Sequence, residues 1–183
     1  MIKVILILCS SLIILITSCT NPFAPAKADP NAPSSNILTL QETPQEVLTN
    51  FLFAYNFKDS LVYSEIIDSN FIFLSQDFNE SPPVPIQWGR DLELRTTARM
   101  FKFFNTLDLN FNTPISVSED TILFLPDLEI IEKKIEMKMT FTLTLDGGKS
   151  IPTINHEVIF VFLCREEKGV SHCTITFWED QQI

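Results

Sequence analysis

From Thr43 onward the apolar positions follow two different rhythms. In the first stretch Val47, Leu48, Phe51, Leu52 and Tyr55 recur at helical spacing. Thr43-Pro44-Gln45-Glu46 stands just ahead of them. Thr43 suits the cap, Pro44 the first helical position, and Glu46 completes a capping box. Asp59-Ser60 breaks and restarts the chain, Leu61 to Ile67 predicts a second short helix, and Phe71 to Leu74 a short strand. Ser81-Pro82-Pro83-Val84-Pro85 reads as a loop. Arg90 to Phe104 predicts a third helix with Leu94, Ala98 and Phe101 along one stripe. Asp91 and Glu93 beside Arg90 and Arg95 read there as a solvated helix start, where acids complement the helix dipole.

After residue 104 the period becomes two. Leu107 to Phe111 alternates, and so does Ile135 to Leu145. Asp146-Gly147-Gly148-Lys149 has hairpin-turn composition, and strands follow at Ile154 to Cys164 and Cys173 to Trp178, joined around Lys168-Gly169. A tight turn at Asp146 to Lys149 sets Lys138 and Thr140 on one face with Asn155 and Glu157. Ile135, Met137, Met139, Phe141, His156, Val158, Phe160 and Phe162 then share the other face, which becomes the inner one. The expected class is α+β: three N-terminal helices packed on a curved antiparallel sheet.

Ahead of the domain, Lys3 precedes an apolar run from Val4 to Ile16, ended by Thr17-Ser18-Cys19. The run is short of the roughly 20 apolar residues a membrane span needs. Its layout resembles the bacterial lipoprotein signal peptide, with an aliphatic residue three positions before an invariant cysteine. That resemblance implies cleavage before Cys19 and lipidation of Cys19, hence attachment to a membrane of the cell envelope. With Thr20 rather than aspartate after the cysteine, it favours the outer membrane in a two-membrane cell. An ordinary secretory signal or an uncleaved anchor is the competing reading. From Thr20 to Asn36 the chain is rich in Pro, Ala, Ser and Asn, which predicts a tether. The expected organisation is a signal at 1–18, lipidated cysteine and tether at 19–42, and one domain at 43–183.

Composition narrows the partners. The chain carries 13 Lys and Arg against 23 Asp and Glu, a formal net charge of −10. Loss of Lys3 with the signal makes it more acidic still. Nucleic acid is excluded as an expected partner, because phosphate binding needs clustered basic residues. Two histidines, no CxxC pair and no glycine-rich phosphate loop leave no expected metal or nucleotide cofactor. Sixteen phenylalanines against four glycines favour one sizeable packed core.

Several residues carry a second resemblance: Tyr55 and Asp59 at the end of the first helix, Asn70-Phe71-Ile72-Phe73, Trp88 leading into the third helix, and Trp178-Glu179-Asp180 near the end. Together with the element order, they are similar to bacterial lipoprotein members of the nuclear-transport-factor-two-like superfamily. That superfamily has a cone-shaped fold and includes ketosteroid isomerase and scytalone dehydratase. The resemblance spans roughly Thr43 to Asp180 and implies the fold. The catalytic carboxylate or paired histidines of those enzymes do not map onto this chain residue by residue, and function on a fold is a property of its site. The expected role is therefore a non-catalytic one, binding a small apolar ligand or a protein partner. An isomerase or dehydratase is the alternative, with His156 as base and Tyr55 or Tyr63 as phenolic donor. His156 reads equally as a rim histidine bonded to backbone, and each tyrosine as a packed core residue.

Two further expectations concern pairing. A last hairpin centred on Lys168-Gly169 sets Cys164 opposite Cys173, close enough for a disulfide; two buried thiols are the other reading. The same count puts Ile159, Val161, Leu163, Thr174, Thr176 and Trp178 on the outer sheet face. This apolar patch fits a homodimer contact or cover by the Pro-rich arm.

Overall fold

The computed structural model describes residues 38–77, 80–148 and 153–182. The signal, Cys19 and the tether up to residue 37 lie outside the described residues. No helix among the described residues is long and apolar enough to cross a membrane.

Helix α1 runs Pro44–Phe57. Thr43 Oγ1 accepts the Glu46 N–H at 3.3 Å, and the Glu46 carboxylate accepts the Glu42 N–H at 2.8 Å. The reciprocal half of the expected capping box thus falls one residue earlier than Thr43. Lys58 ends α1 in the left-handed conformation (φ 58°), and its ammonium bonds the carbonyls of Phe104 and Asn105. Asp59 caps α2 (Ser60–Ile66), accepting from Leu61 and Val62. Then come β1 (Ile67–Asp77) and β2 (Val84–Gly89), a hairpin that delivers the chain into α3 (Arg90–Phe103). The remaining strands are β3 (Leu107–Phe111), β4 (Ser116–Leu125), β5 (Ile130–Leu145), β6 (Ile154–Glu167) and β7 (Val170–Gln182).

The strands form one seven-stranded sheet in the order β2-β1-β7-β6-β5-β3, with β4 pairing the first half of β5. The class is α+β. A strand separates α2 from α3, as the sequence predicts at Phe71 to Leu74, and it is extended here into the β1–β2 hairpin. The expected antiparallel sheet is corrected: it is mixed, because β1 runs parallel to β7. The parallel pair joins the first strand to the last, a contact no local pattern announces. Strand β2 takes in Val84 and Pro85, the end of the stretch read as a proline loop. Pro85 lies opposite Gln76 on an edge strand, where a missing N–H costs no ladder bond. Residues 39–42, read as the end of the tether, belong to the folded body. Thr39 exchanges hydrogen bonds with Asn50, and the Cys173 N–H donates to the Gln41 carbonyl at 2.7 Å.

The β5–β6 pairing places Phe141 opposite His156 and Ile135 opposite Phe162. The connection is longer than a two-residue turn, since pairing begins at Leu143 and Ile154, yet the parity is that of the sequence reading. Met137, Met139, Val158, Phe160 and Phe162 are accordingly buried beneath α1 and α2. The β6–β7 hairpin turns on Lys168 (φ 52°) and Gly169 (φ 80°), as a tight primed turn requires. Cys164 stands opposite Cys173, and the two are joined by a disulfide.

One irregularity in β7 sets up the site. Phe162 pairs with Ile175, but Val161 pairs with Phe177, leaving Thr176 as an extra residue whose hydroxyl bonds the Val161 carbonyl at 3.1 Å. A one-residue bulge reverses the facing of everything beyond it. Phe177 therefore joins the outer face opposite Val161, and Trp178 turns inward opposite Phe160. The expected outward Trp178 is corrected for this reason. Asp180 turns inward with it.

Candidate functional site

Between the helices and the inner sheet face lies a cavity of about 220 Å³. Its walls come from every layer. Phe51 and Tyr55 project from α1, Phe73 and Trp88 from the first hairpin, and Leu109 and Phe111 from β3. Phe141, Leu143 and Ile154 come from β5 and β6, and Met100 from α3. Phe51 anchors this aromatic shell, with ring centroids 4.8 Å from Tyr55, 5.6 Å from Phe111 and 5.7 Å from Trp178. Phe73 and Trp88, a cross-strand pair, stack at 4.1 Å. Thr96, exposed on α3, also lines the cavity, so the space reaches the surface beside that helix.

Two polar groups interrupt the apolar lining. The first is built around Glu93, which is only 4% exposed. Its carboxylate accepts from the Tyr63 hydroxyl at 2.6 Å, the Thr97 hydroxyl at 2.9 Å and the Trp88 indole N–H at 2.7 Å. Among the described residues it has no cationic partner. The two arginines nearest in sequence are turned to backbone: Arg90 donates to the carbonyls of Ile67 and Ser64, and Arg95 to that of Asp91. Burial raises both Tyr55 and Tyr63 well above the ordinary phenol value, and the Glu93 charge adds to it, so both hydroxyls stay protonated.

The second polar group is His156 with Asp180, Nδ1 to Oδ1 at 2.8 Å. His156 on β6 and Asp180 on β7 are diagonal neighbours of the inner face, brought together by the Thr176 bulge. Burial raises the Asp180 carboxyl above its ordinary value, partly offset by the hydrogen bond and charge of His156. Asp180 also borders a polar surface cleft with Gln76 and Gln181, so it stands between cavity and solvent. A carboxylate fixing one imidazole nitrogen leaves the other as base, acid or hydrogen-bonding group for a bound molecule.

Of the residues singled out in the sequence, His156 and Tyr55 line the cavity; Tyr63 does not. The Tyr63 hydroxyl is committed to Glu93 instead. Glu93 corrects the reading of the α3 start as solvated. The predicted stripe of Leu94, Ala98 and Phe101 keeps Phe101 but shifts by one residue at its first two positions, where Glu93 and Thr97 are the buried ones. Two polar residues spaced four apart, with Phe101 four further on, were the available signal. Asp180 carried no comparable signal, because its facing depends on the bulge. Among the described residues no group of three or more His, Cys, Asp or Glu is placed to hold a metal ion.

No protein-family model matches the chain, and no curated protein sequence does. Solved structures are similar to it at low identity. A protein with a cystatin-like fold from Caulobacter vibrioides is 13% identical over 76% of this chain and 86% of its own, with a TM-score of 0.46. An NTF2-like protein of unknown function from Cytophaga hutchinsonii is 13% identical over 76% and 89%, with a TM-score of 0.40. A protein described as Rd1NTF2_04 with long sheet is 12% identical over 75% and 99%, with a TM-score of 0.45. What these similarities describe is a fold of the NTF2-like or cystatin-like kind.

Proposed function

We propose that this chain is a lipid-anchored envelope protein whose domain binds a small, mostly apolar molecule in the cavity beneath its helices. The observation that carries the binding role is the cavity itself: about 220 Å³ of aromatic and aliphatic lining with a few polar groups set into it. Small-molecule sites have this composition, because apolar walls supply burial and sparse polar groups fix orientation. An engineered apolar cavity of about 150 Å³ in another protein accepts benzene, so this one suits a single ring with a short side chain. The test is mass spectrometry of small molecules released on denaturing the purified protein. One compound of that size, near one per chain, is expected from the wild type and not from a cavity-filled Ile154→Phe variant. Equal recovery from both would overturn the reading.

The anchor rests on the Lys3 to Cys19 pattern. Cys19→Ser should move the protein into the aqueous phase of a detergent partition; retention in the detergent phase would refute lipidation. The outer sheet face, with Ile159, Leu163, Phe177 and Ile72 half-buried and Val161 buried among them, is proposed as a homodimer contact. Leu163→Glu should convert that dimer to a folded monomer in light scattering, and a wild type already monomeric at tens of micromolar would exclude it.

A second reading is favoured by the His156–Asp180 pair, which lines the same cavity. In it His156 acts as general base toward a bound carbonyl or hydroxyl compound, with the protonated Tyr55 as hydrogen-bond donor. His156→Gln would then abolish conversion of the co-purified compound while its binding persists. Unchanged conversion would remove this reading.

A further inference from the structure

We infer that the cavity selects small amines: one aromatic or aliphatic group carrying an ammonium ion that sits against Glu93 inside the aromatic shell. The inference rests on the cavity's being the binding site and names the chemistry of its occupant.

Three observations lead there. Glu93 is a buried carboxylate held by three neutral donors and by no cation. Buried charges are ordinarily paired, because the cost of removing one from water is met only in part by neutral hydrogen bonds. Arg90 and Arg95, one turn or less away along α3, are both engaged by backbone carbonyls, so the protein itself supplies no counter-charge. Secondly, the charged side chains that line the cavity are Glu93 and Asp180, with no Lys or Arg beside them. His156, when protonated, is the partner of Asp180 and leaves Glu93 uncompensated. Thirdly, the cavity that Glu93 lines is walled by aromatic rings: Trp88, stacked on Phe73, with Phe51 and Trp178. Ring faces attract cations, most strongly where water is displaced.

The lone-pair count also fits. Glu93 Oε1 accepts from Tyr63 and Thr97, whereas Oε2 accepts from Trp88 alone. One acceptor position remains, and an ammonium brings three donors. A neutral ligand of the same shape gains the burial and leaves the charge uncompensated. An anionic one meets a wall of its own sign.

Three probes with one ring and one chain length separate these cases: 2-phenylethylamine, 2-phenylethanol and phenylacetate, titrated into the purified full-length protein by calorimetry at neutral pH. The amine is expected to bind about tenfold or more tighter than the alcohol, a difference within what a desolvated cation–π contact supplies. Phenylacetate should bind more weakly than the alcohol. Glu93→Gln should bring the amine down to the level of the alcohol. Should that variant not fold, the ranking of the three probes on the wild type decides by itself. An alcohol that binds as well as or better than the amine overturns the amine inference and leaves the cavity as a binding site. No binding of any probe at millimolar concentration overturns both.

Discussion

Replacing Glu93 by alanine would leave the Tyr63 hydroxyl, the Thr97 hydroxyl and the Trp88 N–H without their shared acceptor. A buried donor that loses its partner costs about 1–3 kcal/mol, and some of that is recovered where water enters the space vacated. A loss of roughly 3 kcal/mol in urea unfolding is expected, and a loss under about 1 kcal/mol would show that the network is not buried as described. Asp180 makes a prediction in pH. Folding raises its carboxyl above the ordinary value, so the folded chain holds that proton more tightly than the unfolded chain. From the ordinary carboxylate value up to the raised one the folded chain binds more protons, and the contribution of Asp180 to stability falls as pH rises. Asp180→Asn should remove that part of the slope from a series of unfolding measurements at mildly acid pH; an identical slope would contradict the buried placement. His156 was legible because strand parity alone set it on the apolar face. Glu93 was not, because acids at a helix start have an ordinary local explanation, and which side of α3 is buried is decided by its packing on β1.

The strand elements show what local pattern can and cannot carry. Alternation from Ile135 to Leu145 and from Ile154 to Cys164 set both faces of the β5–β6 pair, since register parity survives a change in turn length. Strands β2 and β4 escaped because both are edges. β2 tolerates Pro85, and β4 is exposed on both sides, with Ile122 and Phe124 in solvent. The parallel β1–β7 pair and the Thr176 bulge depend on contacts between distant segments, and nothing in Cys173 to Trp178 marks them. The bulge is also where the element acts on function, since it turns Trp178 and Asp180 into the cavity. Deleting Thr176 removes the extra residue but keeps Phe177 opposite Val161 and Trp178 opposite Phe160, so Trp178 and Asp180 should both stay inward. Tryptophan emission of the folded variant should therefore match the wild type. A shift to longer wavelength, with Trp178 entering water, would mean that the facing is set elsewhere. Loss of the Cys164–Cys173 bond, whose positions are nine residues apart, should cost roughly 2–3 kcal/mol in reversible unfolding without altering that emission.

At the scale of the molecule, a curved sheet closes over three helices and leaves one aromatic space unfilled, bordered by a buried carboxylate and a histidine–aspartate pair. Both tryptophans of the chain, Trp88 and Trp178, line that space. Intrinsic fluorescence therefore reads the cavity directly, with no other indole in the background. The most direct measurement is a titration of tryptophan emission with 2-phenylethylamine, run in parallel on wild type and on Ile154→Phe, which adds bulk to the cavity wall. A saturable change at one molecule per chain in the wild type, absent from the filled variant, is the predicted result. An emission that stays flat up to millimolar probe, or that saturates alike in both proteins, would contradict the claim that this cavity is where the protein binds its ligand.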